Sequence, residues 1–133
     1  MRGRFLSWGD KAMLLEPLQE KFSVCQLDDF SLVDLERPFT FLAHTDGERS
    51  LVCLTADVPE NTTHRDDDWR AFRISGTLDF SLIGILAKIA DVLARGEIGI
   101  FAISTYDTDY ILTKEKNFER ALALLRQAGY EVR

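Results

Sequence analysis

The sequence predicts an α+β fold made of two ferredoxin-like (βαββαβ) units, the first of them abbreviated. Three observations lead there. The second half reads strand, helix, strand, strand, helix, which is a ferredoxin-like order lacking its last strand. The first half runs through a similar series of strands with only a short helix candidate between them. Finally, Asp29-Phe30-Ser31-Leu32 recurs as Asp79-Phe80-Ser81-Leu82, each copy opening a helix candidate after a strand. The boundary falls between an N-terminal unit, 1–62, and a C-terminal unit, 63–133.

Each element has its own signal. Residues 12–18 read as a short extended segment. In 21–27, Phe22 and Val24 alternate with Lys21 and Ser23, a period of two that marks a strand. Residues 28–36 suit about two helical turns. The β-branched and aromatic stretch 38–45 and the return 49–55 flank Asp46-Gly47-Glu48, a hairpin signal because Gly47 tolerates positive φ. Residues 56–68 are polar and acidic, which reads as a linker or surface loop.

The second half is clearer. Phe72 and Ile74 stand opposite Arg73 and Ser75 in a strand over 69–75 that Gly76 breaks. Leu82, Leu86, Ile89 and Leu93 share one face of a helix over 81–96. Asp79 or Ser81 caps its start, and Gly96 takes the left-handed position past its end. Strands at 97–104 and 109–113 enclose Thr105 to Thr108. A second helix over 117–129 presents Phe118, Ala121, Leu122 and Leu125, and Gly129 ends it. Only Tyr130 to Arg133 remains for a last strand. The segment 12–18 is the candidate to fold back and supply that edge.

Bulk properties exclude several function classes. A chain of 133 residues with 46% hydrophobic content makes one compact domain or two very small ones. A formal net charge of −6 disfavours nucleic acid and anionic membrane surfaces, because phosphate contacts need a basic patch. No apolar run approaches the roughly 20 residues of a membrane span. Asp10 and Lys11 interrupt any signal-peptide core, so the expected location is the cytoplasm. Cys25 and Cys53 then read as buried thiols rather than a disulfide. His64 with Asp66, Asp67 and Asp68 matches no metal motif, and no cofactor is expected. No nucleophile elbow or glycine-rich phosphate loop is present, so no enzyme is expected.

The candidate site lies at the tip "STYDTD", residues 104–109, and at the loop before the long helix. A helix start offers free backbone N–H groups and partial positive charge, which suits a carboxylate. Gly84 in its first turn permits close approach of a ligand or strand. Asp109 suits an ammonium group, Ser104 and Thr105 add hydroxyls, and Tyr106 or Tyr110 walls the site. Donors on one side and a carboxylate on the other suit an amino acid. The simpler alternative is that Asp107 and Thr108 are ordinary turn residues and Asp109 bonds its own turn.

Residues 78–130, through "DFSLIGILAKIADVLA" and "IGIFAISTYDTDYILTK", resemble the second unit of the small bacterial tandem ACT-domain proteins. "WRAFRIS" before them also fits. "KFSVCQL" and "SLVCLTADVP" fit loosely, and the copy of Asp-Phe-Ser-Leu at 29–32 lies outside the pattern. The resemblance implies two ACT-type units with antiparallel sheets packed side by side, and amino-acid binding at such interfaces that regulates attached enzymes. The tip also resembles the ACT units of the arginine sensors of the TOR pathway. That likeness implies a ligand-holding role for Asp109, with Thr105 nearby and the loop Asp79–Gly84 contributing. The sensors carry an acidic residue where Leu82 stands, so the side-chain preference stays open.

The expected function is a non-catalytic module binding a small molecule, an amino acid above all, through Asp79, Ser81, Leu82, Gly84, Ser104, Thr105, Tyr106 and Asp109. A homodimer through an exposed sheet edge is expected. The alternative is an interaction module that uses ACT-type sheet pairing to dimerise, with no functional ligand.

Overall fold

A computed structural model describes residues 13–76 and 84–133. Its elements, in chain order, are β1 (Met13–Pro17), β2 (Phe22–Leu27), β3 (Phe41–His44), β4 (Arg49–Leu54), β5 (Thr62–Gly76), α1 (Ile85–Arg95), β6 (Ile100–Ser104), β7 (Asp109–Lys114) and α2 (Glu115–Gln127), with a 3-10 turn at Thr55–Asp57. The chain divides into two compact units. A terminal unit joins the residues through Gln19 to those from Arg70 onward, and a central unit comprises Glu20–Trp69.

In the terminal unit the strand order is β1, β5, β7, β6. The N-terminal segment does fold back: β1 runs antiparallel to β5 from Met13 opposite Gly76 to Pro17 opposite Phe72. It thereby fills the place of a ferredoxin-like unit's fourth strand. The C-terminal stub flanks it, through a bridge of Leu15 to Val132 and hydrogen bonds from Leu15 N to Glu131 O (2.9 Å) and from Arg133 N to Leu15 O (2.9 Å). The core follows from the two periodicities. Leu15, Phe72, Ile74 and Ile111 come from alternating strand positions; Ile85, Ile89 and Leu93 come from α1; Phe118, Ala121, Leu122 and Leu125 come from α2.

In the central unit the order is β3, β4, β2, β5. Read from β5 and counted from β2 as the unit's first strand, this is fourth, first, third, second, as in the terminal unit when β1 is counted as its fourth strand. The covering layer differs. Cys25, Leu27, Leu51 and Cys53 form a small core under half-buried Phe30, Val33 and Val58. The helix expected over 28–36 does not form; the segment is a series of turns and bends. Its acids explain this. Asp29 Oδ1 accepts from Ser31 N at 2.9 Å and Asp34 Oδ1 from Glu36 N at 3.0 Å, so side chains take the backbone donors that a helix would use.

Two further expectations are corrected. The loop expected over 56–68 gives way to β5 from Thr62, which pairs with β2 through Cys25 opposite Arg65 and Val24 opposite Asp66. Its acids are employed: Asp67 Oδ1 accepts from buried Ser23 at 2.5 Å and ion-pairs with Arg65 at 3.1 Å. Asp68, at φ 69°, and a register shift between Phe22 and Val24 mark a bulge there. Gly96 is not left-handed, having φ −84°; Glu97 takes that role at φ 60°. Glu97 N bonds Ala94 O (2.9 Å) and Ile98 N bonds Leu93 O (3.0 Å), closing a Schellman motif around a non-glycine residue. Gly96 is needed for space instead, since a Cβ there would lie 2.4 Å from Leu124 Cδ1. Gly129 does end α2 in the left-handed region, at φ 103°.

Candidate functional site

The candidate tip is built by β6 and β7, whose register ends at Ser104 opposite Asp109. The four residues between them close on themselves. Thr105 N donates to Thr108 O at 2.8 Å, and the Thr105 hydroxyl both donates to Thr108 O (3.0 Å) and accepts from Thr108 N (3.3 Å). A threonine hydroxyl that bonds its own turn fixes the tip without help from the rest of the unit. Thr108 then ties the tip down. Its hydroxyl donates to Ile74 O at 2.5 Å, close to where β5 ends and the loop toward α1 begins. Sequence reasoning took Thr108 as a plain turn residue, because a bond across 34 positions leaves no local signal.

Asp109 is half-buried, and its Oδ1 accepts the Ser104 hydroxyl at 2.5 Å. Strand alternation puts it on the face of Ile111 and Thr113, the face that the helices cover. Among the described residues no basic side chain ion-pairs with it. A carboxylate fixed by a neutral donor keeps its negative charge available to a cation.

The other expected residues divide into three groups. Ser104, Thr105 and Asp109 are brought together at the tip. Tyr106, at the outer end of the same tip, is fully solvent-exposed, at 103% relative accessibility. Tyr110 lies on the opposite face of β7, where its hydroxyl accepts from Arg73 Nη1 at 3.3 Å; Arg73 Nε in turn donates to Glu16 Oε1 at 2.8 Å. Asp79, Ser81 and Leu82 lie outside the described residues.

Gly84 precedes α1 in the left-handed region, at φ 85° and ψ 6°. A Cβ there would meet nothing within 4 Å, so it is the backbone conformation, not space, that calls for glycine. The first helical bond runs from Lys88 N to Gly84 O at 2.9 Å, and no side chain of Gly84 exists to cap the turn. The N–H groups of Ile85, Leu86 and Ala87 thus precede the first intrahelical donor.

The central unit carries a counterpart tip. Thr45 N donates to Glu48 O at 3.0 Å, and the Thr45 hydroxyl accepts from Gly47 N (3.1 Å) and Glu48 N (3.2 Å). There the flanking pair is His44 opposite Arg49, in the place of Ser104 opposite Asp109. His44 is exposed and meets Phe30 edge-on, ring centroids 5.8 Å apart. A polar depression of about 300 Å³ opens beside this tip, between Gln26, Asp28, His44, Asp46, Glu48 and Arg49. Among the described residues, no cluster of His, Cys, Asp or Glu is arranged to hold a metal ion.

Comparison with known proteins places these observations. The ACT domain family model matches residues 64–127. A protein from Agobacterium tumefaciens, known as a crystal structure, is similar over 91% of this chain and 92% of its own, with 28% identity and a TM-score of 0.81. The regulatory subunit of aspartate kinase from Thermus thermophilus is similar over 86% of this chain and 96% of its own, with 13% identity and a TM-score of 0.58. Aspartate kinase from Clostridium acetobutylicum is similar over 83% of this chain but 33% of its own, with 14% identity and a TM-score of 0.64. At such identities the kinase likenesses concern the fold. Comparison with curated protein sequences returns no match.

Proposed function

We propose that this protein is a non-catalytic regulatory module that binds a small molecule, specifically an amino acid, at the β6–β7 tip of the terminal unit. The observation that carries this reading is Asp109: a half-buried carboxylate held by Ser104, with no basic partner among the described residues. It receives the α-ammonium group. Thr105 lends a hydroxyl to the same tip. The backbone N–H groups of the first turn of α1, after Gly84, receive the α-carboxylate, and the preceding loop with Asp79, Ser81 and Leu82 contributes to the site. The match of 64–127 to the ACT domain supports the class of function, and the regulatory-subunit likeness supports the absence of chemistry.

The same reading takes the chain as two tandem ACT-type units, in the manner of the TOR-pathway sensors. The shared strand order of the terminal and central units supports this, as do the matching threonine turns. It also takes the protein as cytoplasmic and homodimeric. No described helix is long and apolar enough to cross a membrane. Strands β3 and β6 end their strand order, each with one paired neighbour, which leaves edges for a second copy.

The test is thermal denaturation of the purified protein with each of the twenty amino acids at millimolar concentration. A ligand at about 100 times its Kd adds roughly 2.7 kcal/mol, a shift of several degrees for a domain of this size. One amino acid is expected to give that shift, and Asp109→Asn to remove it while leaving the unliganded midpoint close to that of the parent. A flat profile from well-folded protein refutes the reading and favours a module that only dimerises.

A further inference from the structure

The central unit places its two cysteines in one core, on neighbouring strands. Cys25 of β2 lies opposite Leu51, and Cys53 of β4 lies opposite Ser23, so the two are diagonal neighbours on the same sheet face. Both are buried, and they share a cluster with Leu27 and Leu51. Across the other flank of β2, Arg65 stands directly opposite Cys25.

We propose that Cys25 and Cys53 are an oxidisable pair that closes a disulfide when a peroxide enters the central unit's core. The roles are unequal. Cys25 is held below the usual thiol range, first by the Cys53 S–H donated to it and further by the positive charge of Arg65, against the opposing effect of burial. Cys53 is pushed up, by acting as that donor, by burial and by the negative charge of Asp57. Arg65, directly across from Cys25, favours a thiolate on that sulfur, so Cys25 is the nucleophile.

The steps balance. The Cys25 thiolate attacks one peroxide oxygen; an S–O bond forms, the O–O bond breaks, and hydroxide leaves to become water. Cys53 then attacks the sulfenic sulfur as it loses its proton. The S–S bond forms, the S–O bond breaks, and a second water departs. Two thiols and one hydrogen peroxide give one disulfide and two waters.

Access for the oxidant comes from local opening of the cover. In the terminal unit the equivalent core lies under two α-helices, whereas here the cover is Phe30, Val33 and Val58, all only half-buried. They come from turn-rich segments that open locally at low cost. Beside that cover, Asp57 Oδ2 and Asn61 Oδ1 are buried with no hydrogen-bond partner among the described residues, which lowers that cost further. Diagonal strand neighbours sit about 7–8 Å apart at Cα, beyond the roughly 4.4–6.8 Å of ordinary disulfides. Closure therefore draws β2 and β4 together, and a dithiol reverses it readily.

This inference is independent of the ligand site and is tested without any ligand. The full chain is treated with hydrogen peroxide, denatured, blocked with N-ethylmaleimide and mapped by mass spectrometry. Both cysteines are expected to escape alkylation and to appear as one cross-linked peptide within a single chain, restored by dithiothreitol. In Cys53→Ala, dimedone should trap a sulfenic acid on Cys25. In Cys25→Ala, trapping on Cys53 should be at least tenfold slower. Circular dichroism identifies any variant that fails to fold; the wild-type mapping then decides alone. Full alkylation of both cysteines after peroxide, sulfinic acid on Cys25 without a cross-link, or a bond only between chains overturns the proposal.

Discussion

The terminal and central units use one strand order and dress it differently. Each ends its second-to-third strand hairpin in a threonine turn of the same design, Thr105 to Thr108 in one and Thr45 to Glu48 in the other. At the base of those turns one unit sets Ser104 against Asp109 and the other His44 against Arg49, so the charge offered at equivalent places is reversed. The layer above the sheet differs as well: two amphipathic helices over the terminal unit, turns and a 3-10 segment over the central one. The backbone plan is thus set by strand pairing and turn chemistry, while covering and charge vary without disturbing it.

The largest effect should come from thinning the two covers. Ile89, fully buried between α1 and the sheet, is expected to cost about 2–5 kcal/mol when replaced by alanine. Val58→Ala in the central cover should cost about 1 kcal/mol, since Val58 is half-buried at the start. Urea unfolding of both variants checks this. Equal losses would show that the two covers carry similar weight.

Next is the close approach that belongs to one unit alone. Gly96→Ala forces Leu124 Cδ1 away from a 2.4 Å encounter. Overpacking of this kind costs about 1–3 kcal/mol, offset in part by the alanine's lower chain entropy when unfolded. If steric crowding is the cause, adding Leu124→Ala should make the glycine substitution nearly neutral. A double-mutant cycle reads this directly.

The matched turns predict matched, smaller losses. Thr105→Val and Thr45→Val each remove the hydroxyl that holds a tip, worth about 1 kcal/mol. Thr105→Val should also loosen Thr108 and thus the tie to Ile74 O, a link for which the central tip shows no equivalent among the described residues. Amide exchange at Thr108 and Glu48 should separate the two: both exchange faster, with the larger change at Thr108.

The smallest effect concerns pH. The Ser31 hydroxyl, the Ser31 N–H and Asn61 all donate to Asp29, and hold its carboxyl below the ordinary value of 3.8. A depressed folded pKa means that this contribution is complete above about pH 4 and fades as pH falls through the lowered value. Asp29→Asn should therefore flatten the acid side of the stability profile slightly and leave neutral pH almost unchanged. Thermal melts between pH 2 and 7 check it.

How much of this was legible beforehand depends on whether a residue answers to its neighbours in sequence or in space. Phe118, Ala121, Leu122 and Leu125 announced α2, because a helical stripe is a local pattern and packing merely uses it. Residues 28–36 misled, since Asp29 and Asp34 suit a helix by spacing yet bond the backbone instead. Thr62 to Asp68 read as a loop because its charges hid a strand whose partners, Ser23 and Cys25, lie some forty positions away. At the site, the hairpin of 97–104 with 109–113 and the turn character of Asp107 and Thr108 were visible, whereas the turn-closing role of Thr105, expected only as a ligand hydroxyl, was not. The inaccessibility of Tyr110 to that face followed from alternation that the clustering of letters obscured. The exposure of Tyr106 had no sequence signal at all.

The backward reach of β1 has a consequence for how the molecule is made. On the ribosome Leu15 emerges long before Phe72 and Ile74, and the central unit's strands can pair in the interval while the first strand waits alone. Closure of the terminal sheet is then a late, long-range event, slow by the logic of loop entropy. Nascent chains arrested at successive lengths should gain protease resistance in the middle of the sequence before either end.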